Sequence, residues 1–92
     1  YYHRIDMEFL EQDRSRILHQ VENFRPSSLA GVPVKDIVTF DGHKIRLNDG
    51  SWVLIRFSGT ESLLRIYGEA TSNEMLMNLL SEGQKTTEVK TK

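Results

Sequence analysis

The sequence of 92 residues contains no cysteine, which excludes disulfide bonds and metal sites built from thiolates. It has no apolar run near the roughly 20 residues that a membrane-spanning helix needs, and no signal peptide. The formal net charge is −1 at pH 7, so no overall charge attracts the chain to nucleic acid or to an anionic membrane. The length and composition are consistent with one domain that has a modest core, and we expect it to be cytoplasmic.

The chain begins without an initiator methionine, inside a segment whose alternating pattern over residues 1–7 predicts a β-strand. We therefore expect the chain to be a piece of a longer protein. His3 lies in this segment. Histidines on the apolar side of a strand are more often packed or edge residues than catalytic ones, and we interpret His3 in that way.

The remaining pattern predicts a helix, four strands and a second helix. Helical spacing covers residues 10–24, and alternating runs cover residues 34–40, 43–47, 52–57 and 63–70. The dipeptide Asp41-Gly42 and the tripeptide Asn48-Asp49-Gly50 predict tight turns between strands. Thr71 and Glu74 predict a capping box for the second helix, which we expect to end near Gly83. Residues 1–84 then form the domain, and the polar residues 85–92 are predicted to be a disordered tail.

Short connections between the strands predict an antiparallel sheet, and two amphipathic helices can bury their apolar sides against one of its faces. The predicted fold class is therefore α+β, a two-layer sandwich in the order β-α-β-β-β-β-α. The residues expected to face the helices are Tyr1, Ile5, Ile45, Val53, Ile55, Phe57, Leu64 and Ile66. The residues expected on the open face are Arg4, Lys44, Arg46, Trp52, Leu54, Arg56, Leu63, Arg65 and Tyr67.

The polar loop of residues 58–61, between two apolar strands, contains the groups that bind phosphate. Arg56 can form a bidentate pair with phosphate oxygens, and Ser58 and Thr60 offer hydroxyl groups. Gly59 allows the backbone to turn so that successive N–H groups point into one concavity. Strand alternation places Arg56 and Ser58 on the same side. From these residues alone, an ordinary hairpin loop remains an alternative.

The segment from Arg56 to Glu61, with the following apolar strand, resembles the phosphate-binding loop of the α-D-phosphohexomutases. These are the phosphoglucomutases and phosphomannomutases, whose loop lies in the C-terminal, fourth domain. The family pattern is Arg-x-Ser-Gly-Thr-Glu-Pro, followed by a strand with an internal Arg. Phe57 stands where proline is common, and Ser62 replaces the usual final proline, which leaves the loop less rigid. The resemblance implies a fold similar to that of the TATA-binding protein.

The resemblance also implies a role in a mutase that interconverts hexose 1-phosphate and hexose 6-phosphate. This domain would bind the substrate phosphate that does not react, while the phosphoserine and Mg²⁺ lie in other domains, so the isolated chain is expected to be inactive. The implied phosphate-binding residues are Arg56, Ser58, Gly59 and Thr60, with Glu61 and Arg65 as loop support. The chain has no Asp-x-Asp-x-Asp metal cluster, and no catalytic residue or cofactor is expected in it. The expected partners are the phosphosugar and the other domains of the same protein, not nucleic acid or membrane.

Other functions stay open at this point. The open face interleaves basic and aromatic residues, a composition typical of platforms for single-stranded nucleic acid, although the near-neutral charge counts against that function. A structural or dimerisation domain is a third hypothesis. Glu61 has an alternative as a solvated loop charge, and Arg65 as a surface residue whose stem packs on Trp52 or Tyr67.

Overall fold

The structure, a computed structural model, describes residues 1–87. The strands are β1 (Tyr2–Glu8), β2 (Ser28–Leu29), β3 (Val32–Val38), β4 (His43–Leu47), β5 (Trp52–Phe57) and β6 (Leu63–Glu69). The helices are α1 (Arg14–Glu22), which follows a 3₁₀ turn at Glu11–Asp13, and α2 (Asn73–Thr87). The described strands form one antiparallel sheet in the order β1-β6-β5-β4-β3-β2. The predicted α+β class is confirmed. No helix within the described range is long and apolar enough to cross a membrane.

The core lies between one face of the sheet and the two helices. Ile5, Ile66 and Ile55 stand directly opposite one another on β1, β6 and β5. Among the residues predicted to face the helices, Ile45, Val53, Ile55, Leu64 and Ile66 are buried, and Ile5 and Phe57 pack against them. Full burial of a side chain of this size contributes roughly 1.5–3 kcal/mol. The prediction for Tyr1 was wrong: it precedes the first strand and is 71% exposed.

Helix α2 differs from its prediction at both ends. Its N-cap is Ser72 rather than Thr71, because the Ser72 hydroxyl accepts the N–H of Met75 at 3.1 Å. Gly83 lies inside the helix and does not end it. A Cβ at Gly83 would lie 3.3 Å from Ile66 Cγ2, so glycine here lets the helix approach the sheet. Residues 85–87 are helical rather than part of a tail, and the predicted tail at 88–92 lies outside the described residues.

The first helix and the loop that follows it also differ from expectation. Helical spacing predicts a helix from residue 10, but the chain forms a 3₁₀ turn before α1 begins at Arg14, and Leu10 is 62% exposed. Between the predicted helix and the strand predicted over 34–40, the chain forms a hairpin of β2 and β3. Its two turn residues, Ala30 and Gly31, have φ values of 51° and 81°. Positive φ at both central residues is the geometry of tight hairpins, but alanine seldom adopts it, so composition gave no signal.

Candidate functional site

The predicted phosphate loop is a tight turn at the end of β5. The N–H of Ser58 donates to the carbonyl oxygen of Leu63 at 2.9 Å and so closes the loop. The Ser58 hydroxyl oxygen accepts the N–H groups of Thr60 at 3.4 Å and of Glu61 at 3.3 Å. Two successive backbone donors therefore converge on one oxygen atom in an exposed loop. These contacts belong to a serine turn, in which the Ser58 hydroxyl caps the two backbone N–H groups and supports the shape of the loop.

Arg56, next to the loop, is half exposed and forms an ion pair with Asp41. The distance between Arg56 Nη2 and Asp41 Oδ1 is 3.7 Å, with side chains 51% and 72% exposed. The turn before β4 brings Asp41 here. Its Gly42 has a φ of 113°, and a Cβ there would lie 3.0 Å from the carbonyl oxygen of Ile55. Exposed pairs contribute little stability, so an anion that binds Arg56 in a bidentate manner can displace Asp41.

Arg65 lies beside Arg56 on the open face of the sheet. The two arginines stand directly opposite each other on β5 and β6. Asp6 stands opposite Arg65 on β1, with 3.8 Å between Arg65 Nε and Asp6 Oδ1. Asp6 also pairs with Arg4 at 3.1 Å. The carboxylate of Asp6 therefore offsets the repulsion between the like charges, and the support of the loop by Arg65 stays a prediction.

The structure reveals one residue at the loop that the sequence did not indicate, Arg14. Its Nη2 donates to the carbonyl oxygen of Glu61 at 3.0 Å, and its Nη1 to that of Ser58 at 3.5 Å. The same guanidinium bonds both carboxylate oxygens of Glu11. The Ser62 hydroxyl donates to Glu11 at 2.7 Å. These bonds, from Arg14 first and then Ser62, lower the pKa of Glu11 from 4.5 to about 2.

Residues 20–83 match the family described as phosphoglucomutase/phosphomannomutase, C-terminal domain. The chain belongs to this family. The match covers β2 to β6, the loop after β5 and most of α2, the elements that build and support the candidate site. The match begins after Arg14.

Relatives of known name share the family but are much longer than this chain. A phosphoglucomutase/phosphomannomutase of Thermococcus kodakarensis is 40% identical over 88 residues, which are 96% of this chain and 18% of that protein. A phosphopentomutase of the same organism is 49% identical over 41 residues, 45% of this chain and 9% of that protein. A probable phosphoglucosamine mutase of Methanosphaera stadtmanae is 50% identical over 46 residues, 50% of this chain and 10% of that protein. The chain thus spans less than a fifth of these relatives.

A cavity of about 340 Å³ lies near the same end of the sheet, between α1 and β5. Val21, Ile55 and Phe57 give it apolar walls, and the buried His43 also lines it. None of the predicted phosphate-binding residues lines this cavity, although Phe57, which does, lies between Arg56 and Ser58 in the sequence. Within residues 1–87, no three side chains of the types that bind metals lie close enough to hold an ion. The resemblance implies magnesium in another domain of a longer protein, and that expectation stays a prediction.

Proposed function

We propose that this chain binds the phosphate group of a phosphosugar as one domain of a phosphosugar mutase. The observation that carries the proposal is the exposed loop after β5, in which the Gly59 N–H has no hydrogen-bond partner among the described residues and Ser58 and Thr60 offer hydroxyl groups. Membership of the phosphoglucomutase/phosphomannomutase family supports it. An exposed arginine, Arg56, stands two residues before Ser58, and among the described residues its ion-pair partner is the exposed carboxylate of Asp41. Charge-assisted bonds from a guanidinium and backbone amides are the usual means of holding a phosphate.

In this proposal the domain positions the substrate and performs no bond making or breaking. Arg56 leaves Asp41 and binds two phosphate oxygens, and the Ser58 and Thr60 hydroxyls and the Gly59 amide add hydrogen bonds. Binding of the non-reacting phosphate fixes the sugar, and fixed geometry supplies much of the rate in phosphoryl transfer. The phosphoserine and Mg²⁺ belong to other domains of the protein, so the isolated chain binds but does not catalyse.

The substrate class is a sugar phosphate, and we propose the exchange between hexose 1-phosphate and hexose 6-phosphate. The names of the relatives include a phosphopentomutase and a probable phosphoglucosamine mutase beside a phosphoglucomutase/phosphomannomutase. The phosphosugar is common to these names and the sugar differs. This agrees with a loop that binds the phosphate while other parts of the enzyme recognise the sugar. The cytoplasmic location stays a prediction.

The open face of the sheet gives less support to the nucleic-acid hypothesis. Its cationic residues are paired with carboxylates of the same face: Arg4 with Asp6, Arg46 with Asp36, and Arg56 with Asp41. Lys44 lies over the Trp52 ring, 4.4 Å from its centroid. Nucleic-acid binding draws its affinity from cations that neutralise backbone phosphates. Cations that already have partners on the protein provide less of that affinity.

The test is a titration of the ¹⁵N-labelled chain with inorganic phosphate and with glucose 1-phosphate, followed by NMR. We expect shifts confined to the amides of residues 58–61. Arg56→Ala should weaken binding roughly tenfold or more, because hydrogen bonds to charged groups contribute about 1.5–3 kcal/mol. Arg46→Ala removes an arginine from the same face and is the matched control. The proposal would be contradicted if the loop amides showed no chemical-shift change at high phosphate concentration, or if an oligonucleotide shifted resonances over the open face.

A further inference from the structure

Arg14 joins helix α1 to the phosphate loop, although 44 residues separate it from Ser58. We propose that Arg14 is a positioning residue, which holds the loop in the shape that binds phosphate without touching the phosphate itself. This inference rests on the proposed function of the loop. It adds a part of the molecule that lies before the segment matched by the family, since that match begins at residue 20.

The contacts of Arg14 fix the direction of backbone donors in the loop. In a trans peptide the carbonyl and the N–H group of the same unit point in opposite directions. The Ser58 carbonyl points to Arg14, so the N–H of Gly59 in the same unit points away from Arg14. Among the described residues, that N–H has no hydrogen-bond partner. Arg14 thereby holds one proposed phosphate donor in an outward orientation, ready for an anion.

Arg14 is itself held from three sides. Its guanidinium lies 5.1 Å from the ring centroid of Phe9 and 5.8 Å from that of Phe57. The carboxylate of Glu11 bonds it twice and neutralises its charge. The pair of Arg14 and Glu11 therefore adds little net charge near the loop. Its contribution to phosphate binding is the geometry of the backbone, which separates its role from that of Arg56.

Two of the residues that contact this pair are those at which the sequence departs from the family pattern. Phe57 and Ser62 occupy the two positions where proline is common, and they contact Arg14 and Glu11 respectively. Proline restrains a loop by fixing φ. We infer that the ion pair of Arg14 and Glu11 restrains this loop in place of the missing prolines.

The first experiment measures loop order without ligand, by ¹⁵N relaxation of the Gly59 and Thr60 amides, and then the affinity for inorganic phosphate. Arg14→Ala should lower the order of both amides and weaken phosphate binding about fivefold, the effect of roughly one lost hydrogen bond. Arg14→Lys should not restore either property, because an ammonium cannot reproduce the forked contacts of a guanidinium. Arg16→Ala, on the same helix, should change neither. If Arg14→Ala unfolds the chain, Glu11→Gln takes its place.

The second experiment adds Ser62→Pro to Arg14→Ala. Proline at 62 should recover most of the loop order and phosphate affinity, because it restores the restraint by another route. Unchanged loop order in Arg14→Ala, or full rescue by Arg14→Lys, would overturn the inference. Loop order is measured without ligand, so it tests the positioning role independently of phosphate binding. If Arg14→Ala lowers the order of the loop but the wild-type chain does not bind phosphate, the proposed function is contradicted and the positioning role is supported.

Discussion

At the scale of single residues, Asp41 competes with the proposed ligand for Arg56. An anion that binds Arg56 must displace this carboxylate, which lies 3.7 Å away and is 72% exposed. Removing its charge should therefore strengthen phosphate binding. Exposed ion pairs contribute only a small free energy, so the gain from Asp41→Asn is about twofold to fivefold.

The measurement is the same NMR titration with inorganic phosphate, performed on Asp41→Asn and on Asp36→Asn. The second variant releases Arg46 on the same face and leaves Arg56 paired, so its affinity should equal that of the wild type. Equal or weaker binding by Asp41→Asn would show that the carboxylate does not compete at this site.

The site residues differ in how far the sequence could indicate them. Arg56 and Ser58 follow from strand alternation and the turn that Gly59 permits, because all of these are local properties. Arg14 has no local marker. It reaches the loop only when α1 packs on the sheet, and a contact between residues 44 apart depends on the whole fold. Its charge was indistinguishable from the others on the exposed side of an amphipathic helix.

At the scale of elements, β4 and β5 were predictable, whereas β2, the bounds of β3 and the ends of the helices were not. β4 and β5 have the predicted bounds, because a period of two residues between glycine turns is a strong signal. Helix ends depend on single contacts that composition does not show. Ser72 caps α2 although the adjacent Thr71 offers the same hydroxyl, and Gly83 serves packing rather than termination.

The position of Gly83 makes a prediction about α2. Valine has a higher helix propensity than glycine, so in an uncrowded helix Gly83→Val would stabilise the chain. Here the added side chain meets Ile66 Cγ2 and Val53 Cγ2, at 3.3 and 3.4 Å from the Cβ position alone. Overpacking a core costs about 1–3 kcal/mol, which exceeds the propensity gain. We expect Gly83→Val to lower the free energy of unfolding by that amount.

Urea denaturation checks this prediction, with Ser81→Val on the same helix as the control. Ser81 is exposed, so its replacement should change the free energy of unfolding by less than about 0.5 kcal/mol. A Gly83→Val variant as stable as the wild type would mean that α2 ends before it meets the sheet at this point.

At the scale of the whole molecule, the two faces of the sheet have separate functions. One face and the helices enclose the apolar core, in which Ile17, Ile55 and Leu79 are at most 1% exposed. The other face carries ion pairs between strands, such as Arg46 with Asp36, and on the helix side Arg14 pairs with Glu11 beside the loop. Apolar burial does not depend on proton concentration, so acid should act mainly through the paired carboxylates.

Three carboxyl groups give the pH dependence a definite sign. The hydrogen bond from Arg14 lowers the pKa of Glu11 to about 2, that from Arg46 lowers the pKa of Asp36, and those from Ser51 lower the pKa of Asp49. As the pH falls below 4.5, the unfolded chain takes up protons at these groups before the folded chain does. The free energy of unfolding is therefore highest above that pH and falls as the pH approaches 2.

The prediction is checked by urea denaturation between pH 6 and pH 2.5, in the wild type and in Glu11→Gln. Glutamine at 11 does not titrate, so the variant should be less stable than the wild type at pH 6 and should approach it at the acid end. Glu22→Gln, at the other end of α1, is the matched control and should keep the wild-type slope. Parallel curves for the wild type and Glu11→Gln would show that the pair of Glu11 and Arg14 does not contribute to folding. In that case the loop would have to be held by its own turn alone.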